Sequence, residues 1–194
     1  MSATFGPDLI IETERFQLRP LTIEDVGADY VAWLNDSEVT RWTASAGRSH
    51  SLETAQAYVA RHDNAASYHL GIFVRADGRH IGNFSVRIDH YHKVAEINVL
   101  VGDKRWWGAR VVLEARAAVI DWLFNSMDMH KIIGTPFSVN APAIFNYQVH
   151  GFVLEGVLRS HRLIGNGNRV DVLNMALFRP AWELKRGGRA NNAR

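Results

Sequence analysis

Apolar side chains along this chain keep two different periods, and the switches between them mark the predicted elements. In IETERFQLRPL, residues 11–21, Phe16 and Leu18 alternate with polar neighbours. That spacing predicts a strand ending at Pro20, which cannot donate to a ladder. Thr22 is a helix N-cap candidate, and Ile23, Val26, Tyr30, Val31, Trp33 and Leu34 then recur at helical spacing. Ser51 opens a second predicted helix, SLETAQAYVARHD, with Thr54 and Tyr58 four apart. The period falls to two in YHLGIFVRADGRHIGNFSVRID, residues 68–89, two strands joined through the hairpin signal Asp77-Gly78. KVAEINVLV, residues 93–101, follows as a third strand in line.

Helical spacing returns at Val111, Ala115, Ala118, Val119, Trp122 and Leu123. KIIGTPF reads as a short strand. Asn140 caps another helix, with Pro142 tolerated in its first turn, where no intrahelical N–H is needed. Gly151 stops that helix. FVLEGVLRSHRLI and RVDVLNMALF form a final hairpin around GNGN, residues 165–168. Hairpins imply antiparallel neighbours, and strand-turn-helix-strand implies one parallel pair with a helical crossover. The expected class is α/β (α+β): a mixed, mostly antiparallel sheet of about seven strands, with helices on both faces.

Composition narrows what such a domain does. With 194 residues and no linker-like stretch, residues 1–184 make one domain, and the basic run KRGGRANNAR, residues 185–194, is expected to be a frayed tail. The chain has no cysteine, which excludes disulfides, thiolate catalysis and Cys-based metal sites. A formal net charge of +2 demands no nucleic-acid partner. No apolar run approaches the ~20 residues of a membrane span. The first ten residues lack a basic start followed by an apolar core, so a cytoplasmic location is the expectation.

The stretch VGDKRWWGARVVLEARAAVIDWLF, residues 101–124, carries a candidate chemistry. A strand entering a helix through a tight turn presents unpaired amides and the positive end of the helix dipole, an anion site. Gly108 and Ala109 let a phosphate approach the backbone, whereas Arg110 and Val112 do not obviously do so. A turn with no ligand gives the same pattern. His90 and His92 lack a third metal ligand and fit a surface pair or pocket lining. No G-x-S-x-G, G-x-G-x-x-G or P-loop occurs.

In order, EINVLVGDKRWWGARVVLEARAAVIDWLF and HKIIGTPFSVNAPAIFNYQVHGFVLEG, flanked by RFQLRPLTIEDV and RVDVLNMALFRPAWE, resemble the acetyl-CoA-dependent N-acetyltransferase (GNAT) superfamily. The branch is that of ribosomal-protein N-terminal acetyltransferases and related small-amine and amino-sugar acetyltransferases. The resemblance runs from about residue 10 to residue 183. It implies the GNAT acyl-CoA N-acyltransferase fold, acetyl-CoA as co-substrate, no metal, and a homodimer. The implied acceptor is a small-molecule amine, an amino-sugar nucleotide or a peptide N-terminus.

It also implies roles for particular residues. Leu100 and Val101 would pair through their backbone with the pantetheine arm. The turn Trp107, Gly108, Ala109, Arg110, Val111 and Val112 would hold the pyrophosphate. Arg110 and Val112 depart from the family pattern, which has Gly at the first position and Gly or Ala at the second. Arg110 has three outcomes: it reaches the phosphates, it crowds them, or it pairs with Glu114 one helical turn away. Asn140 would hold the cofactor arm, and Tyr147 would act as general acid toward the leaving thiolate. A cap and a half-buried helix aromatic are the plain readings of those two. Attack by an amine also calls for a base, for which Glu96 is the candidate. Alternation puts it on one face with Asn98 and Leu100, and its plain reading is a strand glutamate paired with Arg87 or Lys93. Arg41, Trp42, Arg48, His50, His90 and His92 would line an acceptor pocket that suits an acidic or phosphorylated amine at least as well as a basic peptide. The competing expectation is a binding or scaffold module that kept the fold with a weakened CoA loop.

Overall fold

The computed structural model describes residues 5–165 and 167–191. Its eight strands are β1 (Ile11–Glu12), β2 (Phe16–Pro20), β3 (Ser67–Val74), β4 (His80–Asp89), β5 (Val94–Val101), β6 (Lys131–Gly134), β7 (Val153–Leu163) and β8 (Arg169–Phe178). The helices are α1 (Ala28–Asn35), α2 (Ser37–Thr40), α3 (Leu52–Ala60), α4 (Val111–Asn125), α5 (Ala141–His150) and α6 (Arg179–Asn191). One sheet carries all the strands in the order β1-β2-β3-β4-β5-β6-β8-β7. Only β5 and β6 run parallel, joined by the α4 crossover. The eighth strand is the two-residue β1, which antiparallel pairing with β2 separates from it.

Alternation sorts the sheet into two faces. Tyr68, Leu70 and Ile72 of β3, Phe84 and Val86 of β4, and Ala95 and Ile97 of β5 turn one way. They bury against Ala115, Val119, Ile120 and Leu123 of α4, with Tyr147 of α5 and Trp182 of α6. Each fully buried side chain of this kind contributes roughly 1.5–3 kcal/mol. Phe73 turns the other way and packs with Leu21, Val26, Tyr30, Ala55 and Val59 under α1 and α3.

Two local expectations are corrected. The helix after Thr22 is not continuous: a 3-10 turn covers Ile23–Asp25, and α1 starts only at Ala28. The Asp25 carboxylate closes that turn on itself by accepting from the Thr22 amide at 2.8 Å, and both its oxygens are held by Arg19 at 2.7 Å. The basic segment from residue 185 is not a frayed tail at its start, because α6 runs on to Asn191. Lys185 donates to the Val149 carbonyl near the end of α5, and Arg186 pairs with Asp121 of α4 at 2.7 Å. Lys185 and Arg186 thus have partners on the two helices beneath. Among the described residues, no helix is long and apolar enough to cross a membrane.

Candidate active site

The sheet opens where β5 and β6 part. They pair only through Val94↔Lys131, Ala95↔Ile132 and Glu96↔Ile133. Beyond Gly134 the chain stays with β8: the Leu173 amide donates to Pro136 O and the Ser138 amide to Asp171 O, both at 2.9 Å. β5 continues to Val101 with β4 on one side only, so no strand covers its other edge from Ile97 onward.

Tyr147 reaches into this opening. Its hydroxyl donates to the Ile97 carbonyl at 2.8 Å, where the next amide of β6 would have stood. The ring lies directly on Gly134, where a Cβ would fall inside it. Burial raises the phenol pKa; the Arg116 guanidinium, 3.9 Å over the ring, opposes that shift. Further along β5, the Trp107 indole donates to Val101 O at 2.9 Å. The carbonyls of residues 97 and 101 therefore face the opening. Strand alternation turns the Val99 amide and carbonyl the same way, and those of Leu100 toward β4. Of the two edge contacts expected from sequence, Val101 lies on the open edge; Leu100 does not, and Val99 takes its place.

The turn into α4 is built around two left-handed residues, Gly108 (φ 76°) and Arg110 (φ 60°). Arg110 is the N-cap of α4, so it adopts a conformation that normally favours glycine, at a cost of roughly 1–2 kcal/mol. The Glu114 amide closes the first helical turn on Arg110 O at 3.2 Å. The amides of Val111, Val112 and Leu113 stand ahead of it without intrahelical partners, at the positive end of the dipole. The Arg110–Glu114 pair does not form. Glu114 accepts instead from Thr13 Oγ1 at 2.7 Å, from the Arg15 amide at 2.8 Å and from Arg15 Nε at 2.7 Å. Arg15 also donates to Ala109 O at 3.0 Å, tying the turn to the start of β2. The Arg110 side chain is exposed and has no ion pair among the described residues. Val112 is half-buried, and Trp106 packs edge-on to Phe16 at 5.6 Å.

Glu96 lies on the opposite face, at the apex of the opening. Arg87 donates to it at 2.6 Å and Thr135 at 3.0 Å, with Asn98 at 3.3 Å. Burial pushes its carboxyl pKa up, but Arg87 and the hydroxyl outweigh that and hold it below the usual range. It borders an open hollow of about 350 Å³ with Ser67, Arg87, Asp89 and Ile133. Asn140 caps α5: its side-chain oxygen accepts from the Ala143 amide at 3.2 Å.

The residues expected to line an acceptor pocket have contacts of their own. His90 contacts Ala65 O at 3.1 Å and His92 contacts Asp89 at 2.9 Å, both within the exposed β4–β5 turn. Arg41 lies over Trp42, which packs with Phe137, Val170 and Val172. Arg48 is exposed, and the His50 amide is held by Asn35 at 2.9 Å. A polar cluster unforeseen in the sequence lies between the sheet and α1 and α3. There His69 Nε2 is 2.9 Å from the Tyr30 hydroxyl, and Nδ1 is 3.2 Å from Ser85 Oγ. Burial, assisted by His62 and His80, pushes the His69 pKa to about 3, so the ring is neutral. The alternation of YHLGIFV already puts residue 69 on the face opposite Tyr68 and Leu70.

A family model described as an acetyltransferase (GNAT) domain matches residues 15–153, well over half of the chain. The spermidine N(1)-acetyltransferase of Escherichia coli (strain K12) is 27% identical over 165 residues, covering 84% of this chain and 85% of that protein. Among solved structures, the spermidine N-acetyltransferase of Vibrio cholerae in complex with CoA and spermine aligns with TM-score 0.78 at 20% identity, covering 87% of this chain and 98% of that one. The ribosomal-protein-S5-alanine acetyltransferase of Vibrio fischeri aligns with TM-score 0.77 at 19% identity, over 90% and 98%. The sheet with helices on both faces is the fold these structures share with the chain.

Proposed function

Because the chain belongs to the GNAT acetyltransferase family, we propose that it moves the acetyl group of acetyl-CoA to a small primary amine by direct attack in a ternary complex. The observation that carries this reading is the opening between β5 and β6 with the Tyr147 hydroxyl inside it. The residues present fit the co-substrate. The amides of residues 111–113 and the exposed Arg110 offer a place for a diphosphate, and the edge of Val99 and Val101 offers one for the amides of an extended arm. When bound, acetyl-CoA supplies an activated acyl carbon and a thiolate leaving group.

The chain's own groups do the rest. The amine nitrogen bonds to the acyl carbon as the C–S bond breaks. Tyr147 gives its proton to the departing sulfur, and the ammonium proton leaves through Glu96 or water beside it. The Val99 amide, on the open edge, is placed to polarise the acyl oxygen. Without a cysteine there is no thiol to hold the acyl group, which favours one direct transfer. In the hollow Arg87 is paired with Glu96, which leaves Asp89 as the surplus carboxylate there and favours an acceptor that carries a positive group. This replaces the acidic acceptor inferred from Arg41, Arg48 and the histidines.

Glu96→Gln is expected to lower kcat/KM by roughly 10²-fold. Since its carboxyl is held below the ordinary range, it stays ionised at neutral pH and loses its charge only at acid pH. The rise of kcat/KM above pH 7 therefore follows the acceptor, near pH 8 for an α-amine and near 10 for an alkylamine, by their ordinary values of about 7.7–8.0 and 10.4. A Gln variant that keeps native kcat/KM at neutral pH removes Glu96 from the reaction.

Arg110→Gly separates catalyst from scaffold. Relief of the left-handed strain should raise the melting temperature of the free protein. The calorimetric Kd for CoA should rise roughly tenfold, about 1.4 kcal/mol, through loss of the guanidinium. Tighter binding would mean that the arginine crowds the phosphates. No binding of acetyl-CoA by the native chain at millimolar concentration would favour the scaffold reading, which rests on Arg110 and Val112.

A further inference from the structure

Arg116 is a buried guanidinium without an anion, and burial lowers its pKa from the ordinary arginine value. It projects from α4 into the core at 1% exposure, and no carboxylate pairs with it among the described residues. Its Nε and Nη1 are buried and have no hydrogen-bond partner there. Its guanidinium lies 3.9 Å from the centre of the Tyr147 ring. Placing a charge in such a site is expensive, and the side chain makes no ion pair that would offset it. A leucine or methionine would fill the same space without that penalty, so packing alone does not account for an arginine.

We propose that Arg116 is a positioning residue for the Tyr147 phenol: the guanidinium holds the ring over Gly134 and favours release of its proton during acetyl transfer. This rests on the general-acid reading of Tyr147. The geometry is a cation over the π-face of the ring whose hydroxyl, at the other end, donates to Ile97 O. The charge field at the phenol has two named sources. Arg116, from α4, stabilises the phenolate, and Glu96, from β5, opposes it. His150, one turn further along α5, is a second titratable group near the ring, and a neutral imidazole could donate to only one of the two carbonyls it faces. Burial lowers its pKa, and its ring nitrogens face the Asn146 and Leu113 carbonyls at 2.7 and 3.0 Å. β6 places Gly134 against one side of the ring, and Arg116 is the guanidinium stacked on its face.

The experiment is Arg116→Met, with Arg116→Gln as the neutral alternative should the first not fold. Both are compared with the native chain by thermal melt, by kcat against pH, and by NMR titration of ring-labelled Tyr147 in the free protein. The expected result has three parts. Melting temperature holds or rises. The Tyr147 titration, and any alkaline limb of kcat, moves to higher pH. kcat falls about tenfold, a fraction of the roughly 10²–10⁴ that a positioned acid supplies. A merely structural arginine would give the opposite pattern, a lower melting temperature with the Tyr147 titration unmoved, and that would overturn the proposal. Tyr147→Phe keeps the two readings apart. If that variant keeps native kcat, Tyr147 is not the acid, whereas an unmoved titration in Arg116→Met defeats the role of Arg116 alone.

Discussion

Tyr147→Phe is expected to lower kcat by roughly 10²-fold or more, within the range supplied by a positioned general acid. The substitution is clean because the ring does the packing and the hydroxyl makes one hydrogen bond among the described residues. Phenylalanine keeps the fit on Gly134, the edge contact with Phe152 at 4.9 Å and the face offered to Arg116. What is lost is the hydrogen bond to Ile97 O, roughly 0.5–1.5 kcal/mol. For a chain of this size that is a fall of about 2–4 °C in melting temperature per kcal/mol. KM for the acceptor should change little, because the hydroxyl acts on the departing sulfur. Steady-state thiol release with an amine acceptor measures both constants. A kcat within about threefold of native would return Tyr147 to the status of a core aromatic, since a transition-state contact must appear in kcat. Thiols with lower pKa, offered as acetyl thioesters, should lose less from the substitution, because their thiolates need less help from an acid.

The fold was legible because its signals are local. Period-two alternation on both sides of Asp77-Gly78 marked β3 and β4, Ser51 and Asn140 marked two helix starts, and Gly151 marked a stop. The candidate site was legible only in part, for a physical reason. Side-chain alternation, readable from residue types, correctly grouped Glu96, Asn98 and Leu100, yet the edge that each backbone amide faces depends on the partner strand. That is why the open edge could not be assigned to Val99 over Leu100 from residue types. Helical spacing offers Arg110, one turn away, as one possible partner of Glu114, but its real partners, Thr13 and Arg15, come from about a hundred residues earlier. The opening itself arises because residues 135–138 follow β8 and not β5, a choice between two strands that no local pattern encodes. Arg116 escaped notice for a different reason. Its position falls on the buried stripe with Ala115, Val119 and Ile120, but an arginine in a helix reads as a surface residue.

Gly134→Ala should reproduce much of the Tyr147 phenotype without touching the phenol. Gly134 has no positive φ, so its backbone conformation suits any residue, and what it provides is room. An alanine Cβ would overlap Cε1, Cζ and the hydroxyl of Tyr147. The ring cannot simply yield, since Arg116 is stacked on it and Ile97 O holds its other end. Overpacking of this kind costs typically 1–3 kcal/mol. A catalytic group displaced by about 1 Å can lose 10² in rate. The expected variant is therefore folded, several degrees less stable, and slower by roughly 10–10²-fold in kcat. The cause is identified by a double-mutant cycle. In a Tyr147→Phe background Gly134→Ala should reduce kcat little further, because the hydroxyl it would misplace is already gone. In a Tyr147→Ala background its stability penalty should largely vanish, because the ring it would strike is absent. Full additivity of either effect would mean that residue 134 acts through some other neighbour, since contacting residues couple by roughly 0.5–3 kcal/mol.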